Sequence, residues 1–519
     1  MLRAYFFACK NFSRGAVNFF MSGILGVTLR GIEALPVEVE VDIRGGLFAI
    51  AIVGMPDVAI KESKERVRAA LRSLGLNLRG RISVNLAPAD VPKEGALLDL
   101  PIALGMMRSA GAIKDFPRAL YMGELALDGR LRRVRGAVPA AFLARSLGIP
   151  LYVPRENSSE VALVQGVESY CADTLAELVL TLTGESPAEA VPPAIIPDLP
   201  EIADPDFADI KGQTQARRAA EIAAAGHHNL LLVGSPGSGK TLIARAISGI
   251  LPPLTDEELV ETLLVRSTLG INYEPSRVRP FRTVHFSAST ASICGGGSNL
   301  RPGEVSLAHR GVLFLDEYTE FKRDLTESLR APLEDGTITI SRASGSVTYP
   351  SRVLLVLAAN PCPCGFFGDP IVECKCSPYE IERYKRKLSG PILDRIDLQV
   401  AVPRLTPDEL LSFSQESESS AVIRERVIKA RKIQEERWSE YGLVCNAELP
   451  EKLVRKCLKL PDDSRNFLAV MADKLHLSGR GLSRVIKVSR TIADLAGEEQ
   501  ISKNHLAEAM MYRQGYDKG

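Results

Sequence analysis

A chain of 519 residues is too long for a single hydrophobic core and suggests about three domains. With 45% hydrophobic residues, 24% charged residues and a net charge of +1, it has the balance of an ordinary globular protein. That balance argues against a globally basic nucleic-acid binder, and no apolar run reaches the roughly 18–20 residues of a membrane span. Any contact with nucleic acid must come from local patches, and no membrane partner is expected.

In chain order, Leu2–Phe20 mixes aromatic residues with Arg3, Lys10 and Arg14 and has no uninterrupted apolar stretch, so a signal peptide is not expected. Residues 1–22 read as a mis-called extension or tail, with Met21 as the start. Residues 23–183 alternate strands and helices. Val37–Ile43 alternates apolar and polar residues as a half-buried strand does, Phe48–Val53 and Arg81–Leu86 read as further strands, and Asp57–Leu74 as a charged helix. Residues 184–206, rich in Pro, Ala and acids, have linker composition. Residues 207–403 alternate strand and helix again, which predicts an α/β unit with a parallel sheet. Residues 404–519 read as a helical bundle, with helices over Ala421–Glu440, Glu451–Lys459, Asp463–Leu475, Gly481–Ala496 and Lys503–Arg513.

The chemistry gathers around Gly234-Ser235-Pro236-Gly237-Ser238-Gly239-Lys240-Thr241, which follows the apolar strand Leu230–Val233 and opens a helix. Strand, glycine loop and helix are the context of a phosphate-binding loop. Its backbone N–H groups and the helix N-terminus face a phosphate, Lys240 reaches the β- and γ-phosphates, and Thr241 ligates Mg2+. ATP with Mg2+ is the expected cofactor. Val312–Leu315 is a buried strand ending in Asp316, suited to hold Mg2+, and Glu317, suited to polarise the attacking water. A third strand, Val353–Ala359, ends at Asn360, which can orient the same water. Gly390–Asp397 offers Arg395 as an exposed arginine for the γ-phosphate of a neighbouring subunit, or as a partner of Asp394 or Asp397. Ser478-Gly479-Arg480 opens a C-terminal helix from which Arg480 can read the nucleotide, with Arg484 near enough to compete.

The order of these motifs resembles an AAA+ ATPase. The strings Ser287–Glu317, Leu329–Ala343, Leu357–Gly365 and Gly390–Leu398 resemble the magnesium-chelatase-like YifB/ComM family. The family pattern has Pro-His-His before Ser-Ala-Ser, whereas Val284-His285-Phe286 stands here. The resemblance implies a Lon-protease-like α+β domain in front, a central AAA+ domain and a helical lid. In the front domain the positions of a Ser–Lys dyad fall on Leu97 and Val138, neither of which can attack a carbonyl or accept a proton, so no protease is expected.

Cys362, Cys364, Cys374 and Cys376 place four thiols in fifteen residues, a set suited to tetrahedral Zn2+ although the one-residue spacing within each pair is tight. A redox pair, unrelated cysteines and an iron–sulfur cluster are the alternatives. Nine cysteines without a disulfide pattern fit a cytoplasmic protein. Thr337–Ser341 and Ser346–Tyr349 read as a hairpin, which by the resemblance projects into a ring channel. Arg342, and Arg301 in the glycine-rich segment Ser287–Pro302, are candidates for nucleic-acid contact. The family implies a homo-hexameric ring and an ATP-driven DNA motor, a helicase or branch-migration factor in recombination or transformation. The alternative is a chelatase-type or chaperone-like remodeller of a partner protein.

Overall fold

The computed structural model describes residues 24–513 apart from 115–116, 198, 200–203, 271–274, 298–299, 343–344, 389–391, 393–394, 407–408 and 410–416. The expectations for residues 1–22 and for Asp394 fall outside the described residues.

The front of the chain builds a seven-stranded mixed sheet in the order Ala49–Val53, Arg81–Ala87, Glu33–Arg44, Ile24–Arg30, Leu120–Tyr121, Leu151–Pro154, Ser169–Ala172. The long strand Glu33–Arg44 runs antiparallel to both of its neighbours, and the alternation read from Val37–Ile43 puts Val37 and Val39 into the core. Helices Val58–Ser73, Asp99–Ser109 and Ala137–Leu147 pack on this sheet. The first starts where Asp57 Oδ1 accepts from Ile60 N, a side-chain cap on an otherwise unpaired donor. The stretch read as linker begins inside this unit: Cys171 N donates to Glu189 O and Val191 N to Ser169 O, which covers one edge of the sheet.

The central unit is a parallel five-stranded sheet in the order Phe281–Val284, Val312–Leu315, Leu354–Ala359, Leu230–Val233, Leu398–Ala401. Its middle three strands are apolar and buried on both faces, as sheets covered by helices on each side require. The C-terminal helices Ser420–Trp438, Glu451–Cys457, Asp462–Lys474, Gly479–Ala496 and Lys503–Met511 close against it. The charged helix Ser420–Trp438 is a stitch between units. Ile423, Val427 and Ala430 are buried in the central core, while Arg426 pairs with Glu221 at 2.7 Å and Arg431 donates to Ala224 O. Alternating charge along a helix does not reveal which guanidinium finds a partner on another element.

Front and central units meet over a continuous apolar seam that includes Leu97, Val138, Leu259, Leu263, Ile340 and Val347. The end of helix Asp256–Ser267 is fastened by Gly136 N to Ser267 O at 2.7 Å and Val138 N to Ser267 Oγ at 3.3 Å. Leu97 and Val138 are each only 1% exposed and serve as core.

Candidate nucleotide site

The carboxyl ends of three adjacent parallel strands converge at one point, where open α/β sheets bind ligands. Leu230–Val233 leads into the glycine loop, Val312–Leu315 into Asp316 and Glu317, and Leu354–Ala359 into Asn360. Gly234 lies so close to Val402 O that a Cβ would collide with it, while Gly237 and Gly239 adopt φ of +78° and +95°. Helix Lys240–Ile250 then starts at the loop, with its free N–H groups aimed into it.

Lys240 is 8% exposed; its Nζ donates to Gly234 O at 2.6 Å, Ser235 O at 3.0 Å and Asn360 Oδ1 at 3.3 Å. Burial lowers its pKa to about 8 against the opposing pull of Asp316 and Glu317. Thr241 Oγ1 donates to Asp316 Oδ2 at 2.9 Å, which brings together the two groups suited to hold Mg2+. Glu317 is exposed in the left-handed region at φ +52°, its carboxylate free to face a water. Lys240, Thr241, Asp316, Glu317 and Asn360 thus lie together around the loop Gly234–Thr241. These residues fit ATP with Mg2+: hard oxygen ligands for the metal and N–H donors with one ammonium for the phosphates.

Arg395 and Arg480 lie elsewhere. Arg395 O accepts from Asn229 Nδ2 at the amino end of Leu230–Val233, a four-residue strand and so about 13 Å from the phosphate loop. Arg395, Arg480, Arg484 and Lys487 line a cavity of about 560 Å3 at these amino ends. The expectation of an exposed Arg395 needs correction: its side chain is 9% exposed and pairs with Glu334, which is 55% exposed. Asp397, offered as its partner, is taken by Arg484 and His228, each at 3.5 Å. Glu334 lies 61 residues from Arg395 in sequence, so no local spacing announced the pair. Arg480 is exposed in the first turn of helix Gly479–Ala496, which Ser478 caps through Gly481 N.

The four cysteines converge. All four Sγ atoms lie within 4.8 Å of one another, and Cys362, Cys364 and Cys374 within 3.4–3.6 Å. Four thiolates on a zinc ion at 2.3 Å would stand about 3.8 Å apart, so the cluster fits. Burial pushes the Cys362 thiol up to about 12; at Cys364 burial is outweighed by N–H groups of Phe366 and Lys375, which bring it to about 6.

The hairpin forms as Thr337–Arg342 paired with Gly345–Pro350. One face, Ile338, Ile340, Val347 and Tyr349, is buried in the seam. The other exposes Thr339, Ser341, Ser346 and Thr348, with Thr339–Thr348 and Ser341–Ser346 hydroxyl pairs at 2.9 and 3.0 Å, while Arg342, on the side of Ile338 and Ile340 by alternation, is exposed at the end of the ladder opposite Gly345. A Cβ on Gly296 would lie 3.5 Å from Arg342 Nη2, and Gly296 pairs with Arg301 across a short strand pair. Arg301 itself borders a cleft with Arg133 and Arg135 at the seam. At the departure from the family string, His285 Nδ1 pairs with Ser287 Oγ at 2.8 Å and its ring packs on Phe286. No described helix is long and apolar enough to cross a membrane.

Three family models match the chain: magnesium chelatase, subunit ChlI, over residues 206–410; subunit ChlI of Mg-chelatase over 39–157; and the ChlI C-terminal part over 417–513. The competence protein ComM of Haemophilus influenzae is 42% identical over 494 residues, 93% of this chain and 95% of that protein. The YifB protein of Escherichia coli is 40% identical over 494 residues, again 93% of this chain and 95% of its own length. A more distant relative, the chloroplastic magnesium-chelatase subunit ChlI of Chlamydomonas reinhardtii, is 25% identical over 39% of this chain and 53% of its own. Coverage from the front sheet through the C-terminal helices, at this identity, means that the chain belongs to the magnesium-chelatase-like AAA+ proteins of the YifB/ComM family.

Proposed function

We propose that this protein is an ATP-hydrolysing ring motor, a homo-hexamer acting on DNA as a helicase or branch-migration factor. The observation that carries the DNA reading is the exposed part of the hairpin, which presents four hydroxyls on its outer face and Arg342 at the end of its ladder. Hydroxyls and guanidinium groups are the donors that position a nucleic-acid backbone without reading its sequence. The name of the ComM relative, a competence protein, accords with work on incoming DNA.

Within the site Lys240 and the loop N–H groups would bind the phosphates, and Thr241 and Asp316 would hold Mg2+, which would supply charge neutralisation for the triphosphate. Glu317 and Asn360 orient the attacking water. The position of Arg395 and Arg480 at the far end of the strands supports a role on the neighbouring subunit's nucleotide, not on their own. The buried, apolar Leu97 and Val138 support a front domain that assembles and braces without cleaving peptides. The cysteine cluster is assigned structural zinc.

The test measures ATP hydrolysis with single-stranded, forked and four-way-junction DNA, with Lys240→Ala as the blank. Stimulation by at least one DNA is expected. Arg342→Ala should keep basal hydrolysis and lose that stimulation. A rate indifferent to all three, with no DNA binding at about 50 mM salt, where phosphate contacts are strongest, overturns the motor reading. The weaker kinship to magnesium-chelatase subunits keeps a partner-protein remodeller as the rival, and its ATPase would answer to a protein and ignore DNA.

A further inference from the structure

The segment 361–377 contains no helix or strand among its residues, so its shape depends on cross-links and on what it leans against. It leans on the phosphate loop. Gly365, at φ +87°, approaches so closely that a Cβ there would lie 2.8 Å from Pro236 Cδ. The Asp369 carboxylate faces the Ser235 hydroxyl, and its Oδ1 accepts from Ile371 N and Val372 N at 2.8 and 2.9 Å, which fixes the loop behind it. Upstream, Asn360 accepts from Lys240. Downstream, helix Pro378–Leu388 begins just after Cys376 and carries Tyr384, whose hydroxyl meets Thr319 Oγ1 at 2.5 Å in the turn after Asp316 and Glu317. The cysteine segment is therefore wedged between the phosphate loop and the acidic strand end.

We propose that metal occupancy of the four-cysteine site and nucleotide binding at Gly234–Thr241 are thermodynamically coupled. Zinc orders the segment, and the ordered segment braces Pro236 and Ser235 through Gly365 and Asp369, so that the loop is held in its phosphate-accepting shape. Coupling of this kind is reciprocal, so nucleotide must tighten zinc by the factor by which zinc tightens nucleotide. Because a site that orders its own loop couples metal affinity to local folding, removal of the ion loosens everything the loop supports. The inference rests on the nucleotide-binding reading of the loop.

The test uses the full-length protein, its zinc content measured, titrated with a fluorescent N-methylanthraniloyl ATP in excess Mg2+. Zinc-loaded protein is compared with protein stripped by a zinc-selective chelator and with stripped protein given Zn2+ back. Stripping should weaken nucleotide binding by about fivefold or more, the lower range of measured couplings, and zinc should restore it. Saturating nucleotide should raise zinc affinity in a competition with the chelator by the same factor. Gly365→Ala leaves every thiol in place; it should retain zinc and lose nucleotide affinity. Equal nucleotide affinity with and without zinc in folded protein overturns the proposal, as does less than about 0.2 equivalents of zinc in protein purified without chelators, since a structural site binds its ion tightly. A Gly365→Ala protein unchanged in both zinc and nucleotide binding overturns the route through Pro236. A flat titration of the untreated wild type fails the nucleotide reading itself, a separate and recognisable result.

Discussion

Lys240 sits almost wholly under its own loop, and its burial has a consequence that can be measured. With the pKa drawn down to about 8, Lys240 carries its charge below that pH and loses it above. A bound phosphate needs the ammonium, so above pH 8 each binding event must also take up a proton. ATP affinity should be flat below pH 8 and fall about tenfold per pH unit above it, and an affinity that holds level from pH 7 to 9.5 contradicts this account. Arg395 makes the opposite kind of claim, since it is proposed to act on another subunit's nucleotide. Arg395→Ala should still bind ATP yet hydrolyse it about 10³-fold or more slowly, the scale of arginine contributions in other nucleotidases. If nucleotide binding is lost as well, Arg395 is a structural residue. Asp316 and Asn360 were legible in the sequence because each follows directly on an apolar strand, and Lys240 because it closes the glycine loop that follows a third. The Glu334 partner of Arg395 was not, because it comes from a different part of the chain.

At the scale of elements, the hairpin Thr337–Pro350 is held by its back. Its alternation puts Ile338, Ile340, Val347 and Tyr349 into the seam with the front domain, and Tyr349 OH donates to Leu300 O at 2.7 Å. Gly31, in the turn between the first two front strands, has φ +62° and would drive a Cβ into Val347. A larger side chain there meets both a strained backbone and a filled space. Gly31→Val should lower stability by about 2–4 kcal/mol, within the range for overpacking combined with left-handed strain, and should loosen the hairpin from the front domain. Limited proteolysis would then cut the hairpin faster than in wild type, and equal cutting rates argue against the clamp. The sequence announced the hairpin and the exposed Arg342 at its end. It did not announce that the inward face has the front domain as its partner, because alternation identifies a buried face without naming what buries it.

For the whole molecule, helix Asp256–Ser267 joins the two large units through a buried charged network. On one side Leu259, Leu263 and Leu264 enter the seam. On the other, Glu261 pairs with His309 at 3.1 Å and Arg310 at 2.8 Å. Burial works against the Glu261 carboxylate, but His309 and Arg310 outweigh it and bring its pKa to about 2, while burial lowers that of His309. Both shifts act in one direction. The Glu261 contribution is full above its ordinary value near 4.5 and is lost as pH falls toward 2, on the order of 3 kcal/mol. His309, whose burial holds its pKa in the folded protein below the ordinary 6.5, adds destabilisation once pH drops below that value. Melting temperature should therefore fall steadily below about pH 6.5, with front and central units losing structure together; Glu261→Gln should flatten the slope between pH 4.5 and 3, and an unaltered slope would remove Glu261 as its source.

The sequence by itself determined the three-part α/β organisation, the nucleotide loop with its acidic and asparagine companions, the C-terminal helices and the proximity of four cysteines, because each is written as local periodicity or short spacing. The tertiary structure alone decided that Arg395 and Arg480 stand at the opposite end of the sheet from the phosphate loop, that the basic helix stitches units together, and that the cysteine segment presses on Pro236. Those are contacts between residues far apart in the chain. They are fixed by strand order and by the packing of whole elements, which no single stretch of sequence contains.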